Sequence, residues 1–63
     1  MKHGELIRRI NKIAKMKGLS ARYSEGGNHT SLDLGDKHTT IPRHAEVNER
    51  TAKAILKYLE GAE

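Results

Sequence analysis

The sequence has no cysteine, no tryptophan and no phenylalanine, and its only tyrosines are Tyr23 and Tyr58. Without thiols, the chain can form neither a disulfide scaffold nor a thiolate zinc site, which fits a reducing compartment. With so few aromatic residues, the core has to be built from Leu, Ile, Val and Ala. A chain of 63 residues also buries only about 60% of the surface that its unfolded form exposes. We therefore expect one small domain over residues 1–63.

Long apolar runs are missing as well, since the longest contain two or three residues. Such runs can neither span a bilayer nor form a signal peptide, so we expect a cytoplasmic protein without a membrane segment. Charge is unbalanced: twelve Lys and Arg against eight Asp and Glu give a formal net charge of +4. This excess favours a polyanionic partner such as nucleic acid, although a solvated basic surface would have the same composition.

The first element is predicted to be a helix over roughly residues 4–17, ended by Gly18. Its apolar residues recur at helical spacing and form one stripe, made of Leu6, Ile7, Ile10, Ile13 and Ala14. Basic side chains cluster on the side opposite this stripe. We call this cluster the basic ridge, and it consists of Arg8, Lys12 and Lys15.

From Leu19 onward, apolar and polar residues alternate, as expected for half-buried strands. Glycines mark two turns, and Pro42 ends the pattern. Three antiparallel strands are predicted, the first beginning at Leu19, with two-residue loops at Gly26-Gly27 and Asp36-Lys37.

These loops fix a register in which Tyr23 faces Thr30 and Leu32 faces Ile41, with all apolar positions on one side of the sheet. The same register places His29 beside Ser24. The other side of the sheet carries polar side chains only. We call it the open face, and its members are Arg22, Ser24, His29, Ser31, Asp33, His38 and Thr40.

A second helix is predicted after Asn48, whose side chain is a good N-cap, and Gly61 is placed to end it. The order is helix, three antiparallel strands, helix (αβββα), an α+β fold. Each helix has a single apolar stripe and the sheet has a single apolar face. Both helices should therefore pack on that one face of the sheet.

His29 is the strongest candidate for chemistry, because it follows a glycine turn and faces outward. RNA can be cut without a metal when a base removes the proton of a 2′-hydroxyl and an acid protonates the leaving oxygen. Imidazole suits either role near neutral pH. A lone exposed histidine at the start of a strand is, however, more often a plain surface residue.

The other histidines give weaker signals. His38 is a second candidate for acid or base, although it lies at the far edge of the predicted sheet. The spacings of His3, His29, His38 and His44 match no metal-binding pattern, and no thiol is present to join them. We therefore expect neither a metal nor a cofactor.

Several segments together resemble the HicA toxins, small mRNA interferases of bacterial toxin–antitoxin pairs. These segments are Glu5-Leu6-Ile7 in the first helix, Gly27-Asn28-His29, Ile41-Pro42, His44, and the run Thr51-Ala52-Lys53-Ala54-Ile55-Leu56-Lys57. The family typically has Gly-Ser-His at the second segment and a Thr-Leu-x-x-Ile-Leu-Lys ending. The resemblance covers nearly the whole chain, and its specificity comes from the order and spacing of the segments.

The resemblance implies a fold like that of a double-stranded-RNA-binding domain (dsRBD-like), with His29 as the catalytic histidine and Gly27 as the glycine before it. It also implies translation-independent cleavage of mRNA, silenced by a HicB-like antitoxin that covers the active face. The departure is Asn28, which stands where the family usually has Ser, so any contact of that hydroxyl with RNA would be altered.

The function predicted from the sequence is that of an endoribonuclease toxin, monomeric when free, with His29 as general acid or base. Lys12, Lys15 and Arg22 are candidates for binding the RNA backbone, and Gly27 and Asn28 for contacting RNA at the turn. A non-catalytic RNA-binding module of the same fold is the main alternative, and it would need the basic ridge but not His29. A pure protein-interaction domain would need neither.

Overall fold

The structure, a computed structural model, describes residues 1–61. It confirms the α+β fold and the order αβββα. The elements are α1 (His3–Lys17), β1 (Ala21–Gly26), β2 (His29–Leu34), β3 (Lys37–Pro42) and α2 (Glu49–Glu60). The strands form one antiparallel sheet in the order β1-β2-β3. The last two residues of the domain expected over 1–63 lie outside the described residues.

Both helices end at the glycines that the sequence indicated. Gly18 and Gly61 adopt the left-handed conformation, with φ of 69° and 81°, which glycine reaches without a side-chain clash. At the start of α2, the Asn48 side-chain oxygen accepts hydrogen bonds from the backbone N–H groups of Arg50 and Thr51, at 2.8 and 3.4 Å. The N-cap expected at Asn48 is therefore confirmed.

The strand register differs by two residues from the predicted one. Tyr23 pairs with Leu32 rather than Thr30, and Leu32 pairs with Thr39 rather than Ile41. The loops are consequently Gly27-Asn28 and Gly35-Asp36.

The physical reason for this difference lies in the turns. Gly27 and Gly35 have φ of 57° and 63°, and no non-glycine residue among residues 1–61 has a positive φ. A two-residue hairpin of type II′ requires a positive φ at its first central position only, so glycine belongs there. Gly-Asn and Gly-Asp satisfy that requirement, whereas the predicted loop Asp36-Lys37 would have placed aspartate in the strained position.

A shift of two residues leaves every side chain on its predicted face, because the period of a strand is two. It does change the neighbours of His29, which lies between Gly26 and Pro42 rather than beside Ser24. Ser24 instead pairs with Ser31.

The core lies between the two helices and one face of the sheet. From the sheet it takes Leu32, Leu34 and Ile41, and from the helices and the loop before α2 it takes Leu6, Ile10, Ala14, Val47, Ala52, Ile55, Leu56 and Leu59. Both helices therefore pack on the single apolar face, as expected. Neither helix in residues 1–61 has the length and apolar content needed to cross a membrane.

Leu19 and Tyr23 were expected on the buried face and are more exposed, at 42% and 38%. Leu19 precedes β1 rather than beginning it. Its side chain covers the second turn, where a Cβ built on Gly35 would lie 3.1 Å from Leu19 Cδ1. Tyr23 reaches α1, where its hydroxyl donates to Asn11 Oδ1 at 2.7 Å, and partial burial raises the pKa of its phenol.

Candidate functional site

His29 is the first residue of the central strand β2, and its side chain is exposed on the open face. Because β2 has a neighbour on each side, its start lies between the end of β1 and the end of β3. An open depression of about 540 Å³ is found at this corner. Its lining residues are Gly27, Asn28, His29, Arg43 and His44. We call it the His29 depression.

Arg43 is anchored at the rim of the His29 depression by the first turn. Its Nη1 donates to the Gly27 carbonyl oxygen at 3.1 Å, and its Nε lies 3.7 Å from Glu25 Oε1. A guanidinium carries five N–H groups, so these contacts leave donors for an anion in the depression. The arginine is thus held in place while keeping hydrogen-bonding capacity.

A hydrogen bond connects this rim to the buried side of the sheet. Thr30 is only 6% exposed, and its hydroxyl donates to Glu25 Oε1 at 2.9 Å. Glu25 and Thr30 are cross-strand partners, so the carboxylate lies between the threonine and the guanidinium of Arg43. Contacts with Thr30 and Arg43 therefore hold Glu25 in place just before the turn that leads to His29.

The loop that carries Arg43 and His44 is also held at its other end. The backbone N–H of His3 donates to the Ala45 carbonyl at 3.0 Å, and the N–H of Val47 donates to the Met1 carbonyl at 2.8 Å. The α-ammonium of Met1 lies 3.0 Å from carboxylates of Glu46 and Glu49. These contacts fix the path of the backbone that follows His44.

The Met1 ammonium also changes the pKa of Glu49, at the start of α2. Its hydrogen bond to Glu49 lowers the pKa of that carboxyl. The hydrogen bonds to Glu46 and then to Glu49 raise the pKa of the ammonium itself. Glu49 also occupies the first turn of α2, where a negative charge is favourable. The ion pair therefore fastens the N-terminal segment to the second helix.

A second, smaller depression of about 340 Å³ lies beside the first. Arg43 and His44 line both. The smaller one also contains His3, whose Nε2 is buried without a hydrogen-bond partner among residues 1–61. Arg43 and His44 therefore stand between two adjoining concavities at one end of the sheet.

His38 and Arg22 lie at the opposite end of the open face. Asp33, which pairs with both across the sheet, is four residues beyond His29 on β2, a separation of about 14 Å along a strand. The His38 Nδ1 is 2.5 Å from Asp33 Oδ1. His38 is thus engaged by a carboxylate and does not share the His29 depression.

The basic ridge lies on α1, on the helical side of the sheet rather than on the open face. Arg8, Lys12 and Lys15 are exposed, as expected. Lys12 lines a groove between the helices together with Met16 and Leu56. Of the residues predicted to serve RNA, the fold brings Gly27, Asn28 and His29 together, and it places Lys12, Lys15 and Arg22 elsewhere.

Arg43 and His44 are the two members of the His29 depression that were not proposed from the sequence as site residues. The predicted order of the strands was nevertheless sufficient to place them near His29. In an antiparallel hairpin the end of one strand lies beside the start of its neighbour, so residues after Pro42 must come near His29. That inference needs only the strand order and does not depend on the exact register.

Within residues 1–61, no group of three or more His, Asp or Glu side chains is arranged to hold a metal ion. The titratable groups of the His29 depression are two imidazoles and one guanidinium. Arginine stays protonated at any physiological pH, so only the imidazoles can exchange protons near neutrality. Proton transfer beside an anion is the chemistry that this set of side chains can perform.

Comparisons of the chain with protein-family models, with curated proteins and with solved structures gave no match. The resemblance to HicA toxins therefore rests on the order and spacing of the sequence segments, and the site is defined by its own geometry.

Proposed function

We propose that this protein is an endoribonuclease that cuts mRNA without a metal ion, and that it acts as the toxin of a type II toxin–antitoxin pair of the HicA kind. The observation that carries the proposal is the position of His29. It lies exposed in a depression beside an anchored arginine, at the open end of the uncovered sheet face. An accessible imidazole can serve as general acid or base in RNA cleavage, and a fixed cation in the same depression can bind the phosphate.

In the proposed reaction, the RNA phosphate binds at Arg43. The 2′-hydroxyl loses its proton to a base and its oxygen attacks the neighbouring phosphorus. The bond from phosphorus to the 5′-oxygen breaks, and that oxygen takes up a proton from an acid. The products are a 2′,3′-cyclic phosphate and a free 5′-hydroxyl, so atoms and charge balance without water or a metal. His29 acts as the acid or the base.

Gly27 and Asn28 support this role through the backbone. Gly27 supplies the positive φ that turns the chain directly before His29, and its carbonyl anchors Arg43. Asn28 occupies the second turn position and lines the depression. Its amide can donate to a phosphate oxygen as a serine hydroxyl would, although from a longer side chain.

A cytoplasmic antitoxin of the HicB kind would silence such an enzyme by covering the open face. The net charge of +4 favours an acidic partner. A neighbouring reading frame that encodes a small acidic protein is therefore expected. Co-expression of that protein should relieve growth inhibition by this chain and protect RNA from cleavage in vitro.

The test is incubation of the purified protein with a long single-stranded RNA, once with EDTA and once with Mg²⁺. We expect cleavage in both, with cyclic phosphate and 5′-hydroxyl ends. RNA that stays intact in both conditions would contradict the nuclease, and cleavage that needs Mg²⁺ would contradict the metal-free mechanism.

A non-catalytic RNA-binding module is the second candidate, and the exposed basic ridge on α1 favours it. Under this alternative the ridge binds the phosphate backbone and His29 has no role. Replacing Lys12 and Lys15 together by Glu would then weaken RNA binding and reduce its dependence on salt. Unchanged affinity and salt dependence would remove the ridge from RNA binding, whereas intact binding with no cleavage by the wild type would favour the module.

A further inference from the structure

We propose that His44 is the proton-transfer partner of His29, so that one imidazole acts as general base and the other as general acid. This inference rests on the proposed function. Cleavage of RNA needs both a base at the 2′-oxygen and an acid at the 5′-oxygen, and a single histidine supplies only one of them at a time. The structure places a second histidine in the same depression.

The composition of the depression leaves no other residue for this role. Gly27 and Asn28 have no ionisable side chain, and a guanidinium does not act as a proton-transfer group near neutral pH. Among the five residues that line the His29 depression, His44 is thus the one group besides His29 that can exchange a proton near neutral pH.

Acid–base groups outside the depression are less suited. His38 is at the other end of the open face and is held by Asp33, too far from His29 for both to reach one phosphate directly or through one water. Glu25 is the nearest carboxylate in the adjoining depression, but it is engaged by the Thr30 hydroxyl and lies beside Arg43.

The residues on both sides of His44 are held in defined places. His44 follows Arg43, whose guanidinium is bound to Gly27, and precedes Ala45, whose carbonyl is bound by the His3 N–H. The charged and titratable groups around it are Arg43 and His29 on one side and His3 and Glu25 on the other. A phosphate held by Arg43 in the His29 depression would share that depression with both imidazoles.

The test compares His44→Ala and His29→Ala on two RNA substrates. One is an ordinary RNA, and the other carries sulfur in place of the bridging 5′-oxygen at a linkage that the wild type cuts. A thiolate leaves without a proton, so the second substrate does not need the general acid.

On ordinary RNA we expect each variant to lose about 10²- to 10⁴-fold in rate, the usual contribution of a general acid or base. On the sulfur substrate we expect one of the two variants, and only one, to recover. The pH–rate profile of each variant should also lose one of the two limbs seen in the wild type.

His38→Ala is the matched control, because it removes an exposed histidine from the same face and should leave both rates unchanged. His44→Asn repeats the test with a polar side chain if His44→Ala does not fold. Wild-type cleavage with unchanged activity of His44→Ala, or recovery of neither variant, would overturn the role of His44 and leave the proposed function standing. A wild type that cuts neither RNA would overturn both.

Discussion

The two faces of the sheet are built from alternate residues of the same three strands, yet their surroundings differ completely. On the covered face, Leu32, Leu34 and Ile41 are 0–1% exposed and pack against both helices. On the open face, His29, Asp33 and His38 are exposed. Residues adjacent in sequence, such as Ser31 and Leu32, therefore lie on opposite faces and have different roles. The covered face determines stability, and the open face is free to carry function.

The largest effect on stability is expected from Leu32→Ala on the covered face. Removing a fully buried leucine side chain lowers the free energy of unfolding by about 2–5 kcal/mol, because the cavity is only partly refilled. Ser31→Ala is the matched control on the open face and should change it by within about 0.5 kcal/mol. Denaturant unfolding measures the free energy of unfolding of both variants. Equal destabilisation would show that the covered face does not contribute more to stability than the open face.

A smaller effect is expected from Thr30→Val, which changes a buried polar residue of the covered face. The substitution keeps the shape and removes the hydrogen bond to Glu25, so the free energy of unfolding should fall by about 1 kcal/mol. Glu25→Gln keeps an acceptor oxygen for Thr30 and should have less effect. If Thr30→Val instead stabilised the protein, burial of the hydroxyl would be a net penalty, and its hydrogen bond to Glu25 would not contribute to stability.

A still smaller effect is expected from Asp33→Asn, which removes the carboxylate in contact with His38 on the open face. Both side chains are more than half exposed, at 53% and 61%, so the pair should contribute about 0–1 kcal/mol. RNA cleavage should be unchanged, because the pair lies at the far end of the open face from His29. A loss of cleavage with intact folding would show that the site extends along the whole face.

The sequence was sufficient to predict the elements and the face on which each side chain lies. Alternation along the strands assigns Leu32 and His29 to opposite faces whatever the register, because a slip of two residues preserves the pattern. The helix caps at Asn48 and Gly61 were also predictable from the sequence, since local chemistry determines them.

The register and the full membership of the site were not predicted correctly. The glycine pair Gly26-Gly27 offers two hairpin positions that both have glycine first, and the chain turns at Gly27. At the second hairpin, the requirement for glycine at the first central position selects Gly35 over Asp36. The position of the rim residue Arg43 near His29 followed only from the order of the strands, because its contact with Gly27 is long-range and has no local signature. Lys12 and Lys15 were predicted to bind the RNA backbone, and that role stays a prediction. The structure places both on α1, on the other side of the sheet from His29.

The catalytic role of His29 is tested most directly by comparing RNA cleavage by His29→Ala and His38→Ala, with unfolding measured on both. The two substitutions remove exposed histidines from opposite ends of one face, so each should change stability by within about 0.5 kcal/mol. We expect His29→Ala to lose cleavage by at least about 10²-fold and His38→Ala to cut like the wild type. Cleavage retained by a folded His29→Ala would exclude a catalytic role for His29.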